Sequence, residues 1–422
     1  MSDISLSNVS RTGTITLDTL QRLSLWLLIV SGWYVLMEPA PYELLFAFCL
    51  LLFLPTGLAV PRVTAPFILF LTLYNVGGVI SLSQLTSDPK AVTFTVVSVY
   101  MAVTSIFFAL CVASDPMQRM AVIRNAYIIA GVLAALTGLL GYFDIAGLGK
   151  AWAPIQRAQG TFKDPNVLST FLIPPVVFII QGFLLGTQKW RPVAALALLV
   201  MLSAVFLAFS RGAWMNAIGA IALAVGVTFL VTPSAALRFR IILLASIGAF
   251  VGLCLIAFLL SFEQVRDLFA ERASLLQDYD SGESGRFGNQ IHSIPLLLEH
   301  PFGLAPIRFR YIFGQDPHNV YVNAFAAYGW IGGFSYLLLI ISTLAVGFKT
   351  MFTRTPWQHY AIAIFCPLFT MMLQGIQIDT DHWRHFYLLL GIVWGLYAAT
   401  VAYRPGVATA DPVNRQLPQM PR

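Results

Sequence analysis

The chain has 422 residues, of which 58% are hydrophobic and only 10% charged, against roughly 25% charged in an ordinary soluble domain. That composition excludes a water-soluble globular protein, and the formal charge of +6 is scattered rather than gathered into the basic patch of a nucleic-acid-binding surface. The four cysteines, Cys49, Cys111, Cys254 and Cys366, all fall in apolar stretches without CxxC spacing, so they are expected to pack as small hydrophobes.

The polar tail 1–22 comes first. Apolar stretches close to the ~20 residues needed to cross a bilayer follow at 23–38, 42–60, 64–82, 92–113, 121–142, 166–185, 192–209, 213–231 and 241–261. After a long loop, 262–319, three more lie at 320–347, 357–377 and 385–402, before a tail over 403–422. Lipid forces such segments to be helices or closed barrels, and no sustained period-two alternation supports a barrel. The expected fold is therefore an all-α polytopic integral membrane protein of about twelve transmembrane helices, with one membrane domain over 23–402. No small-residue cleavage site follows the first stretch, so it reads as a retained span.

Charge sets the expected orientation. Arg11, Arg22, Arg62, Arg119, Arg124, Lys189, Arg191, Arg238, Arg240, Lys349, Arg354, Arg404, Arg415 and Arg422 fall on one side, accompanied only by Asp3, Asp18, Asp115 and Asp411. The positive-inside rule makes that side cytoplasmic, with both tails on it. The long, partly helical loop between the ninth and tenth spans then lies on the opposite, outer face.

Three outer segments carry chemistry. The loop 143–165 holds Lys150, Arg157, Lys163 and Asp164 and ends at Pro165; Arg157 is a candidate anion ligand. "FSRGAW", 209–214, interrupts an apolar run and places Arg211 in a tight turn, on the face where the charge rule disfavours arginine. The long loop opens with Phe262, Val265, Phe269, Ala273 and Leu276 at helical spacing, an amphipathic helix expected along the membrane surface. It continues through Arg286, Arg308 and Arg310 to His318 and Asn319, at the lip of a glycine-laced span. Guanidinium groups suit bidentate phosphate binding. Histidine suits general-base chemistry at neutral pH. His382 and His385, with Arg384, are the second-best histidine site.

These segments resemble those of the O-antigen ligase and polymerase superfamily. His318-Asn319 followed by Gly329 and Gly332 resembles its signature, "FSRGAW" its Ser-Arg-Gly turn, and "RAQGTFKDPN" its Gly-x-Phe-x-x-Pro-Asn segment. "SGRFG" and "EHPFG" resemble the stretches before the His-Asn pair. The sequence departs at "LAPIRFR", where related chains are richer in glycine, and at Ala327, where they often carry an acid. The resemblance implies a membrane glycosyltransferase at the periplasmic face of a bacterial inner membrane. The donor would be a glycan on undecaprenyl pyrophosphate and the acceptor lipid A–core, another lipid-linked glycan or a protein hydroxyl, with no cofactor and no metal. His318, Arg211 and Arg286 would be catalytic, and Arg157, Asn319, Arg308 and Arg310 substrate-binding.

Two rival expectations stand beside it. Asp278-Tyr279-Asp280 and Asp379-Thr380-Asp381 are Asp-x-Asp triplets of a kind that can hold a divalent cation against pyrophosphate. A transporter would use intramembrane polar groups such as Asn75, Asn216 and Gln374, with matching broken helices in two halves.

Overall fold

The computed structural model describes residues 16–37, 39–273 and 285–404, and all regular structure in them is helical. The first nine apolar stretches form α1 (Leu17–Ser31), α2 (Pro41–Phe53), α3 (Ala65–Leu82), α4 (Pro89–Ser114), α5 (Pro116–Tyr142), α7 (Pro165–Phe171) with α8 (Ile173–Leu185), α9 (Arg191–Leu207), α10 (Arg211–Val231) and α11 (Ala235–Leu259). A four-residue turn, α6 (Gly149–Trp152), precedes α7. The long loop contains α12 (Glu263–Arg272), α13 (Arg286–Glu299) and α14 (Arg308–Phe313), and the chain closes with α15 (Val320–Phe352), α16 (Gln358–Gln374) and α17 (Arg384–Ala402).

Eight of these segments are long and apolar enough to cross a membrane, while α2 and α9 are shorter apolar helices. α11 shows most directly what solvent the fold is built for. Only Ile241 and Leu259 are buried along its length, and Phe239 and Phe250 are each 68% exposed. A helix apolar all round and open on nearly every side is stable only against lipid. α16 is the converse, buried on almost every residue, and at 17 residues it rises about 26 Å.

Helix starts follow a repeated local rule. Asp88, Asp115 and Asp164 each precede a proline and accept from the backbone N–H of Lys90 (2.8 Å), Gln118 (3.1 Å) and Asn166 (2.6 Å). The carboxylate satisfies an orphan donor, and proline at the first helical position has no N–H to satisfy. Between helices, small residues let backbones touch, as where Gly391 and Gly395 of α17 lie against the Ser105 and Ala109 carbonyls of α4. Asn75, Asn216 and Gln374 form interhelical hydrogen bonds, Ser98 Oγ donating to Asn75 (2.9 Å) and Asn216 to Gln374 (2.6 Å).

The helix at the start of the long loop makes contact with the helices beneath it. Part of its apolar stripe packs on protein: Val265 is buried, and Phe269 stacks 5.6 Å from Phe206 beside Trp214, while Phe262 is 42% exposed. α12 thereby caps the turn between α9 and α10. Leu276 of that stripe, the triplet Asp278-Tyr279-Asp280 and most of both tails lie outside the described residues.

α15 is broken. Gly329 has φ 65° and ψ −169°, a region essentially open only to glycine. The segment 301–305 fills the break with its own backbone: Leu304 N donates to Ala326 O (2.7 Å) and Trp330 N to Pro301 O (2.8 Å). A Cβ on Gly329 would lie 2.7 Å from Pro301 O, and one on Gly303 2.8 Å from Gly329 N. The resemblance at "EHPFG" and at the glycine after His-Asn thus has one physical cause, since the two glycines meet face to face. Gly329→Ala is expected to cost about 1–3 kcal/mol of backbone strain and to expel the 301–305 segment. A lower unfolding temperature, together with faster proteolysis within 300–319, is the measurement that checks it.

Candidate functional site

The chain leaves α14 through Gly314–Pro317 and enters α15 at Asn319, whose side chain caps the helix by accepting from Tyr321 N (3.0 Å) and Val322 N (3.2 Å). The residue before the cap, His318, has φ 49°, a left-handed conformation that costs a residue with a Cβ energy and persists only where neighbours enforce it. The enforcing group is Asp379. One carboxylate oxygen accepts from His318 N at 2.9 Å and the other from Asn319 N at 3.0 Å. Gln290 of α13 completes the brace, donating to Pro317 O (2.9 Å) and accepting from Asn319 Nδ2 (3.3 Å).

Asp379 belongs to the segment 375–383 between α16 and α17, which holds the site together. Gly375 O accepts from Val320 N (2.8 Å), and Gln377 O receives Arg286 Nη1 at 3.5 Å. Asp381 accepts from Asn323 of α15 (3.0 Å) and lies 3.1 Å from His382 Nδ1. Burial pushes the Asp379 carboxyl above the usual carboxylate range, with Asp381 and Asp316 adding to the rise and the two N–H donors opposing it.

His318 is half-buried, and burial lowers its imidazole below the ordinary value. Arg286 lowers it further, Asp316 and Asp164 pull it up, and Arg310 lowers it. These residues therefore share one electrostatic neighbourhood with His318. Arg310 is also locked in a two-pronged ion pair with Asp316. Arg308 is exposed on α14.

Arg157 and Arg211 belong to an adjoining unit. Arg157 Nε donates to Ala208 O (2.7 Å) and Nη2 to Asn166 Oδ1 (3.1 Å). It ties the 153–164 loop to the three-residue turn before Arg211 and to the start of α7. Ser210 caps α10 by accepting from Ala213 N (3.2 Å), and Arg211 is that helix's first residue. A Cβ on the next residue, Gly212, would lie 3.1 Å from Gln374 Nε2, so the head of α10 sits at the end of α16 that feeds the 375–383 segment.

The structure thus gathers His318, Asn319, Arg286 and Arg310 directly, and joins Arg211 and Arg157 through α16 and α7. Asn319 spends its side chain on the cap and on Gln290. Sequence reasoning reached Asp379 and Asp381 only as a possible cation site. Both have protein donors here, and no group of three or more potential metal ligands occurs among the described residues.

His382 carries a separate prediction. Its Nε2 lies 3.0 Å from Phe94 O and its Nδ1 faces Asp381, so the doubly protonated ring satisfies both acceptors. Burial pulls its pKa down, but Asp381, by charge and by hydrogen bond, together with the Phe94 carbonyl, outweighs that and sets it above the ordinary value. A pKa raised by folding gives stability that is complete below about 6.5 and is lost as pH rises through the folded value. The unfolding temperature is expected to fall across that interval in the wild type and to fall less in His382→Gln.

Among curated proteins, none matches the chain. A family model described as O-Antigen ligase matches residues 196–337. The matched stretch runs from within α9 into α15 and includes Arg211, Arg286, Arg308, Arg310, His318 and Asn319. This match supports the likeness carried by the motifs: residues 196–337 are similar to the O-Antigen ligase family.

Proposed function

We propose that the protein transfers a glycan from undecaprenyl pyrophosphate to an acceptor hydroxyl at the periplasmic face of a bacterial inner membrane, as an O-antigen ligase does. The coarser statement, an O-antigen ligase/polymerase-type enzyme of surface polysaccharide biosynthesis, has the support of the family match. The observation that carries the finer one is His318: strained, braced by Asp379, its pKa lowered, and set beside Arg286 and Arg310.

In this reading the neutral imidazole of His318 takes the proton of the acceptor hydroxyl. The acceptor oxygen bonds to the anomeric carbon as the bond from that carbon to the pyrophosphate oxygen breaks. Arg211 and Arg286 stabilise the charge that collects on the departing pyrophosphate, Arg308 and Arg310 extend the basic surface toward the donor, and Arg157 holds the Arg211 turn in place. No cofactor and no metal takes part. Twelve membrane crossings, with both tails cytoplasmic, would put the His318 end outside.

The test is transfer by purified protein with EDTA present, using an undecaprenyl-pyrophosphate glycan as donor. Lipid A–core, excess donor and a hydroxyl-bearing protein are offered separately as acceptors. Label on lipid A–core is expected; growth on donor alone would make it a polymerase, and label on protein a protein glycosyltransferase. Donor binding without transfer to any of the three would end the glycosyltransferase reading.

A further inference from the structure

A cavity adjoins the 375–383 segment at His382 and Trp383. It has a volume of about 580 Å3, within the roughly 300–1,000 Å3 of small-ligand pockets. That is room for roughly twenty groups of water or methylene size at ~30 Å3 each. Val97 and Met101 of α4, Tyr127 of α5, Phe171 of α7 and Leu388 of α17 line its walls. Of its lining residues, Val96 is 61% exposed, in a row along α4 with exposed Val92, Val99 and Val103, the apolar surface expected to meet lipid.

One rim of this apolar chamber is charged. Lys163, Arg384, Glu43 and His382 all line it. Arg384 Nη2 pairs with Glu43 Oε1 at 2.5 Å, while its Nε, buried in the rim, has no hydrogen-bond acceptor. The rim is joined to the reacting group at two points. Lys163 is the chain neighbour of Asp164, whose charge reaches His318, and His382 holds Asp381, which holds Asn323 of α15. Hydrocarbon walls open to lipid, with a cationic rim and a spare N–H donor, fit a lipid chain whose head carries phosphate or acyl oxygens.

We propose that this cavity seats a hydrocarbon chain of the lipid-borne acceptor and presents its head to His318. The inference rests on the glycosyltransferase reading above. It assigns the cavity to the acceptor because Arg211 and Arg286, the groups for the donor's pyrophosphate, belong to α10 and α13, neither of which lines the chamber.

The experiment compares Val97→Trp and Leu388→Trp, two independent fillings from different helices, with Leu243→Trp on exposed α11 as control. Transfer from the undecaprenyl-pyrophosphate glycan is measured with intact lipid A–core and with the same acceptor stripped of its acyl chains. Displacing several methylenes is expected to raise KM for the intact acceptor roughly tenfold or more. KM for the donor should stay at the control's value, and the stripped acceptor should be used equally poorly by wild type and filled variants. Both KM values unchanged, or the donor's alone raised, overturns the proposal while transfer itself upholds the parent reading. Wild type that transfers to no acceptor ends the parent reading instead. A filled variant that unfolds below the control is replaced by Arg384→Lys, which keeps the charge facing Glu43, removes the spare Nε donor and is expected to raise acceptor KM alone.

Discussion

His318→Ala is expected to lower the transfer rate by about 10²–10⁴, the usual worth of a positioned general base, with donor binding retained. The backbone N–H that Asp379 holds is still present in alanine, so a rate loss with intact donor binding separates loss of the imidazole from loss of the fold. The wild-type pH profile carries the same information. A base acts when deprotonated, and burial together with Arg286 holds the His318 imidazole below its ordinary value. The acid limb of the rate should therefore have its midpoint below about 6.5, with full activity at neutral pH, and His318→Ala should lose that limb.

Arg211→Gln and Arg286→Gln are each expected to lower kcat by about 10²–10³, the loss measured when one stabilising donor is removed from a developing anion. Lysine should restore part of it, as a point charge without the planar fork. The two arginines differ in a second readout. Arg286 depresses the His318 imidazole by its charge, so removing that cation makes protonation easier and moves the acid limb to higher pH. Arg211, on α10 rather than α13, acts in this reading on the pyrophosphate alone, so its variant should keep the wild-type limb. A rate loss in Arg286→Gln with an unmoved limb would assign it to pyrophosphate alone.

Each of the twelve apolar stretches coincides with helix, because hydropathy records the lipid contact that a helix surface makes. The ends moved where caps, not hydropathy, decide them. Thr16 starts α1 at Leu17 by accepting from Thr19 N, and α15 runs on to Phe352, past Lys349. Length separates the segments into two groups, since α1, α2, α9 and α16 have fewer than 18 residues and the other eight apolar segments are longer.

Within the candidate site, the residues that sequence singles out by type, His318, Arg286 and Arg310, are brought into one neighbourhood by the fold. Residues that act by distant contact are not legible in this way. Asp379 lies 61 positions from His318, and nothing local marks it as the clamp on that backbone. The break at Gly329 was invisible too, since its flanks are as apolar as any span and its partner, Gly303, lies in another segment. Asn319 has a local role that its type also allows, since its side chain caps α15.

The most direct test of the central claim is a single turnover of purified protein on the undecaprenyl-pyrophosphate glycan, with the anomeric configuration of the product read by proton NMR. One displacement by a hydroxyl that His318 has deprotonated predicts transfer with inversion at the anomeric carbon. Retention would require a glycosyl-enzyme intermediate that His318 as a base does not provide, and would contradict the account.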